Sequence, residues 1–285
     1  MIEVQNLTWY YQSNPKRVLD NINLNIKQGE SVAILGPTGA GKTTLLYCLC
    51  GLIPHNFAGK FEGTVNICGM DPRKANVAEI ARRVGYVFED AESQLVLSTV
   101  NENLLFGLEN LGLPIEEIER RIQWAIKKFS IEDLLEYDAH LLSGGQKQKV
   151  ALLSSLVMQP DILLLDEPTS ELDPISKTEL YKILVELREN KGMTMIIVEQ
   201  DLEDLPKLVD RVILLYDGKI IYDKPLRAFF EMAEEIEKLG VRPIDSTLIY
   251  SNLRNEGFFR KKLSVPLTDD EAVLLLQDLF KGEKT

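Results

Sequence analysis

The sequence predicts an α/β fold built on a mainly parallel core sheet, and three observations carry that expectation. SVAILGPTGAGKTTLLYCLC, residues 31–50, reads as an apolar strand, a glycine-rich turn and a helix in direct succession. Apolar runs at 162–165 and 193–198 have the length of buried strands. PIEEIERRIQWAIKKF places Ile115, Ile118, Ile122, Ala125, Ile126 and Phe129 on one helical face with charges opposite.

Taken in order, MIEVQNLTWYY and VLDNINLNIKQGE alternate polar and apolar residues in the manner of half-buried strands. Residues of about 90–160 turn helical, and the run ending before Pro160 is preceded by Ser143, Gly144 and Gly145. The last segment, 231–285, is shorter than a typical domain and reads as a helical appendage. In it Thr268 and Glu271 form a TxxE capping box ahead of AVLLLQDLF, an amphipathic-looking helix whose apolar side needs cover. A dimer contact is the favoured cover, and packing on its own domain is the alternative.

Bulk composition narrows the function classes. The 285 residues suffice for one large α/β domain plus an appendage, and 45% hydrophobic with 27% charged residues is ordinary globular usage. No run approaches the roughly 18 apolar residues that cross a bilayer, and the N-terminus lacks the order of a secretory signal. Cytosolic placement is expected. Cys48, Cys50 and Cys68 lack the paired spacing of a zinc site and read as small core residues. A net charge of −12 argues against nucleic acid as a partner, because a phosphate backbone wants a basic face.

Any anion site must therefore be local, and one is plain. Gly36, Pro37, Thr38, Gly39, Ala40, Gly41, Lys42 and Thr43 fit GxxxxGK[ST], with Thr44 following. Glycines let successive backbone N–H groups face one centre, and the next helix adds its positive end, so the loop cradles phosphates. Strand, P-loop and helix together predict a P-loop NTPase. Lys42 is expected to reach the β- and γ-phosphates, and the Thr43 hydroxyl to ligate Mg2+. Downstream, ILLLDEPTSELD is an apolar strand ending in two carboxylates. Asp166 is expected in the Mg2+ shell and Glu167 beside the γ-phosphate, polarising the attacking water. A capped strand end would account for one acid but not for both. Ser143 followed by Gly144, Gly145 and Gln146 offers another helix N-terminus, which on residues alone is either an anion site or an ordinary N-cap.

LSGGQ, with a P-loop upstream and LLLDEPTSELD just after, resembles the ATP-binding cassette (ABC) ATPases over residues 1–230. The resemblance implies an antiparallel β-subdomain at the N-terminus, an α-helical signature subdomain over about 90–160, and a final strand pair at VILLYDGKIIYD. It also implies that Tyr11 stacks on adenine, and that two cassettes meet head to tail around two ATP molecules. Ser143, Gly144, Gly145 and Gln146 would then serve the nucleotide held by a partner subunit.

A finer likeness is to the ATPases of energy-coupling factor transporters, which import vitamins or transition metal ions. It rests on GLIPHNFAGKFEGTV, FEDAESQL, TVNENLLFGLENLGL and PLTDDEAV. It implies a second ATPase subunit, identical or related, a transmembrane scaffold protein, and a separate substrate-binding membrane protein. The chain would then sit peripherally on the cytoplasmic face of the cell membrane. Rival readings are a soluble cassette ATPase acting on DNA or ribosomes, and a regulatory nucleotide-binding subunit with little turnover. The first usually carries a coiled-coil insertion or fused cassettes, which this acidic chain lacks.

Two positions depart from the family pattern. Where the family has a glutamine that senses the γ-phosphate and Mg2+, this chain has Glu89; where it has a histidine after the strand following the acid pair, this chain has Gln200. A carboxylate can ligate Mg2+ but cannot donate a hydrogen bond unless protonated. At about 4 Å and an effective dielectric of about 20, one more like-charge pair repels by about 4 kcal/mol. The expectation is a slow site on this chain's own P-loop, with a heterodimer favoured. Asp90 and Glu92 are expected to meet basic residues of the scaffold.

Overall fold

The computed structural model describes residues 1–13, 16–259 and 263–282. In chain order the elements are β1 (Ile2–Tyr11), β2 (Arg17–Ile26), β3 (Ser31–Leu35), α1 (Lys42–Leu49), α2 (Leu52–His55), β4 (Gly59–Ile67), α3 (Val77–Ala81) and β5 (Val84–Val87). The helical part is α4 (Val100–Asn110), α5 (Ile115–Phe129) and α6 (Gly144–Leu156). Then come β6 (Ile162–Asp166), α7 (Pro174–Lys191), β7 (Thr194–Val198), β8 (Arg211–Tyr216) and β9 (Lys219–Pro225). The chain finishes in α8 (Leu226–Phe230), α9 (Ala233–Lys238), α10 (Asp245–Asn255) and α11 (Asp269–Gly282).

Six strands form the main sheet in the order β5-β6-β7-β3-β8-β9, parallel except for the β8–β9 hairpin. A second, antiparallel sheet has the order β2-β1-β4, as the N-terminal alternation implied. Strand periodicity sorts the core. Val32 and Ile34 of β3 join the apolar cluster under the antiparallel sheet and α1, while Ala33 and Leu35 join the cluster on the other face. Leu163 and Leu165 of β6, and Met195 and Ile197 of β7, follow the second pattern. Because both faces are covered, these strands are apolar throughout, and their functional residues gather at the carboxyl ends.

In α5, Ile122, Ala125, Ile126 and Phe129 are buried and Ile118 packs against them. Each large side chain so buried contributes roughly 1.5–3 kcal/mol. Ile115, expected on the same face, is 71% exposed because it starts the helix beyond the surface its later turns cover.

The appendage is largely committed to its own domain. Ile236, Val241, Ile244, Tyr250, Val265 and Leu267 belong to the same apolar cluster as β6 and β7. The expected capping box is only half formed. Thr268 Oγ1 accepts from the Glu271 N–H at 3.2 Å, but the Glu271 carboxylate accepts from the Leu267 N–H at 2.9 Å and from two Arg227 nitrogens at 3.0 Å. Arg227 offers a charged, forked donor, which outcompetes the helix's own N-cap amide. On α11, Val273, Leu274 and Phe280 remain exposed. Residues 260–262 and 283–285 of the appendage lie outside the described residues.

Candidate functional site

The P-loop joins the carboxyl end of β3 to α1. Gly36 cannot be replaced without displacement, since a Cβ there would lie 2.0 Å from the Leu215 carbonyl oxygen. Gly41 takes φ 103° as the N-cap of α1, and a Cβ on it would approach the Val18 carbonyl to 2.7 Å. No side chain caps α1 among the described residues, so its leading N–H groups face the loop. Lys42 is buried, and its Nζ donates to the carbonyls of Gly36 at 2.9 Å and Pro37 at 3.3 Å. Burial holds the Lys42 pKa below its usual value, against the pull of Glu167, Asp166 and Glu89. Tyr11 lies on the α1 side of β1: its hydroxyl is 3.1 Å from Thr44 Oγ1, and its ring meets Trp9 and Phe57 edge-on.

The two carboxylates at the end of β6 occupy different environments. Asp166 is 2% exposed, and its Oδ2 accepts from the Tyr86 hydroxyl at 2.8 Å. Its Oδ1 is buried with no hydrogen-bond partner among the described residues. Burial raises the Asp166 pKa; Tyr86 and the Thr43 hydroxyl oppose that rise. An orphaned carboxylate oxygen beside a threonine hydroxyl is a hard oxygen donor pair, which fits a divalent cation such as Mg2+. Glu167 takes the left-handed φ of 47°, a conformation that costs a non-glycine residue about 1–2 kcal/mol and is held here by its N–H donating to the Val198 carbonyl at 2.9 Å. Its Oε2 accepts from Gln200 Nε2 at 2.6 Å, and its Oε1 lies 4.0 Å from Lys42 Nζ.

Glu89 follows β5 and faces the same acids. Partial burial raises its pKa first, then the charges of Glu167, Asp166 and Glu171, with Lys42 opposing. The structure thus brings Gly36–Thr44 of the loop, Asp166, Glu167, Glu89 and Gln200 to one end of the sheet.

Ser143, Gly144, Gly145 and Gln146 stand apart at the N-terminus of α6. Ser143 Oγ accepts from the Gln146 N–H, and Gln146 Oε1 accepts from the Ser143 N–H at 2.9 Å, a complete capping box. Gly145 lies against α7, where a Cβ would meet Ser176 Oγ at 2.5 Å.

Residues 19–170 match the family model for the ABC transporter. The chain belongs to the ABC transporter family. A putative ABC transporter ATP-binding protein of Pyrococcus abyssi is 40% identical over 261 residues, 92% of this chain and 93% of that protein. Among solved structures, cbiO1 from Clostridium perfringens, described as part of the ABC transporter complex cbiONQ, superimposes with a TM-score of 0.72 at 33% identity, covering 88% of this chain and 98% of that one. The ATP-binding cassette MJ0796, a dimer bound to ADP and Pi, gives 0.68 at 31% identity over 80% of this chain and 99% of its own.

As an ABC transporter ATPase, the chain binds and hydrolyses ATP, and cassettes of this family act as dimers. Three residues around its site went unnoticed in the sequence. Tyr86 is an ordinary aromatic in a strand until its hydroxyl is found on Asp166. Gln94 accepts from the Phe88 N–H at 3.2 Å and donates to the Ala151 carbonyl at 3.0 Å, tying the GYVFEDAESQL turn to α6 of this ABC ATPase. Glu199, next to Gln200, is a buried carboxylate whose pKa burial pushes up to about 7. Its only sequence signal is an acid directly after an apolar strand.

Glu92, expected to meet the scaffold, is paired with Lys147 of α6 at 2.6 Å, which lowers its pKa. Asp90 Oδ1 accepts from the Glu92 N–H at 2.9 Å. Glu92 therefore ties the turn to the signature helix, because Lys147 rises from the first turns of α6 directly beside it, while Asp90 closes the turn on itself.

Proposed function

We propose that this ABC ATPase is one of two ATPase subunits driving an importer of the energy-coupling factor type, for a vitamin or a transition metal ion. The observation that carries this reading is the likeness to cbiO1, which covers 88% of the chain where the MJ0796 likeness covers 80%. The subunit works peripherally at the cytoplasmic face of the membrane, with a transmembrane scaffold protein and a separate substrate-binding membrane protein as partners. Among the described residues no helix is long and apolar enough to cross a membrane.

In this mechanism the loop amides of residues 36–44 and Lys42 bind the ATP phosphates, and Tyr11 meets the adenine. Lys42 exchanges its loop carbonyls for phosphate oxygens. Thr43 and Asp166 would hold Mg2+, with Glu89 as a further candidate ligand, and the ion would supply positive charge to the phosphates. Glu167 accepts the proton of the attacking water. Gln200 keeps Glu167 oriented. Ser143, Gly144, Gly145 and Gln146 complete the site on the partner subunit, and the closing and reopening of the dimer moves the scaffold.

The partner is favoured to be a different subunit. Glu89 adds negative charge beside Glu167 and Asp166, and Gln200 lacks the charge a histidine can carry, so this chain's own site turns over slowly. Restoring both positions, Glu89→Gln with Gln200→His, is expected to raise the ATPase rate of the isolated chain; no gain would sink the slow-site reading. For the importer reading, purification from native membranes is expected to bring an integral scaffold, a second cassette and a small substrate-binding membrane protein. Recovery with a transmembrane permease that has no separate substrate-binding membrane component would overturn it.

A further inference from the structure

Behind Glu167 lies a buried polar cluster for which the hydrolysis mechanism above has no use. Glu199 follows β7 and is 4% exposed, and its Oε1 accepts a hydrogen bond from Thr169 Oγ1 at 2.9 Å. Thr169, itself buried, comes two residues after Glu167. Gln200, the residue after Glu199, donates to Glu167 Oε2 at 2.6 Å. One carboxylate therefore ties together the loop that leaves Glu167 and the strand end that presents Gln200.

Polar groups from α7 and from the loop after β6 face it. From α7, Lys177 and Tyr181 face Glu199, with the Lys177 ammonium 5.8 Å from the Tyr181 ring centre and bonded to Asp201 on the Glu199 side. From the loop after β6 come Thr169 and Glu167, and the Gln200 amide also favours the charged carboxylate. Burying a carboxylate is costly, and a small neutral residue would close this strand end without that penalty. What the carboxylate adds is a fixed link between two segments that must keep one register around Glu167.

We propose that Glu199 is a positioning residue for ATP hydrolysis, holding the Thr169 hydroxyl so that the loop after β6 stays locked to the end of β7 and Glu167 remains paired with Gln200. It touches neither nucleotide nor water, and it acts through Thr169 and Gln200. The proposal rests on the ATPase activity of this site.

The test compares Glu199→Ala, Thr169→Val and Glu199→Gln in the full chain. Thr169→Val keeps shape and removes the donor; Glu199→Gln keeps an acceptor oxygen and removes the charge. Glu199→Ala and Thr169→Val are expected to lower kcat by about ten-fold or more, with Mg-ATP affinity held within about two-fold. The double variant is expected to fall no further than either single one. Glu199→Gln is expected to restore kcat at pH 7 to within about three-fold, and to remove from the wild-type kcat profile an inflection near pH 7.

Amide hydrogen exchange, read without nucleotide, is expected to rise about ten-fold in 167–173 for the two disruptive variants and to stay unchanged in 100–129. Wild-type-like kcat in Thr169→Val, equal losses of kcat and Mg-ATP affinity, or unchanged exchange in 167–173 would overturn the proposal. Should Glu199→Ala not fold, the isosteric Thr169→Val carries the test. If the wild-type chain binds Mg-ATP without turnover, it is the ATPase reading that fails, and exchange alone decides the positioning role.

Discussion

The glycine-marked N-termini of α1 and α6 are finished in opposite ways. At α1 the N-cap is Gly41 in the left-handed region, with no side-chain cap among the described residues, while Lys42, Asp166 and Glu167 are buried around it. At α6 the N-cap is Ser143, whose capping box with Gln146 already satisfies two of the amides, and Ser143 and Gly144 are exposed. Leading amides left open need an anion to satisfy them. Amides already capped at the surface form a stable edge that gains ligands only when another surface arrives. Under the proposed function, the difference makes the α1 end a built half-site for this chain's nucleotide and the α6 end a prefabricated part offered to a partner.

The harshest way to break that comparison is to disable the α1 side. Glu167→Gln is expected to reduce hydrolysis by about 10²–10⁴ while retaining ATP binding, and Lys42→Ala to lose both, as read by turnover and equilibrium nucleotide binding. Retained turnover in Glu167→Gln would show that the base lies elsewhere.

The buried acid behind the site is expected to shape stability next most strongly. Burial raises the folded-state pKa of Glu199 to about 7 from its usual 4.5, so between these values the folded state holds more protons than the unfolded one. Its contribution is therefore most favourable below about pH 4.5 and is lost as pH rises through about 7, by at most about 3 kcal/mol. Urea midpoints at pH 5 and pH 8 are expected to differ less in Glu199→Gln than in the wild type.

On the α6 side, Ser143→Ala is expected to cost about 1 kcal/mol of stability as a lost cap. Affinity for ATP at this chain's own P-loop should not change, whereas hydrolysis at the partner's site should fall when mixed dimers are assayed. A drop in own-site affinity would erase the distinction between the two ends. The smallest effect belongs to Glu92→Gln, which removes the exposed pair with Lys147. Only a small stability loss is expected, shrinking further at high salt.

What could be read early was local in the chain. The GPTGAGKT spacing carries the loop, the carboxyl end of ILLLD carries Asp166 and Glu167, and Ser143 with Gln146 spells its own cap three residues apart. In α5, period alone found Ile122, Ala125, Ile126 and Phe129, but it overran to Ile115 because an apolar stripe does not say where the covering surface ends. Tyr86 meets Asp166 across 80 residues of chain and Thr169 meets Glu199 across 30, and nothing local marks either pair. In GYVFEDAESQL the family resemblance already set Glu89 apart, and Lys147, 55 residues on, then separates Glu92 from Asp90.

The sequence by itself determined the P-loop, the acid pair, the signature helix and the alternation of strands and helices, since each depends on residue types at short fixed spacings. Only the tertiary structure decided which oxygen of Asp166 is left open, that Gln200 grips Glu167, that Glu92 is spent on Lys147, and that the appendage packs mostly on its own domain. Those outcomes are contests between polar partners brought together by the sheet order and by burial, where geometry and desolvation choose the winner and sequence distance carries no weight.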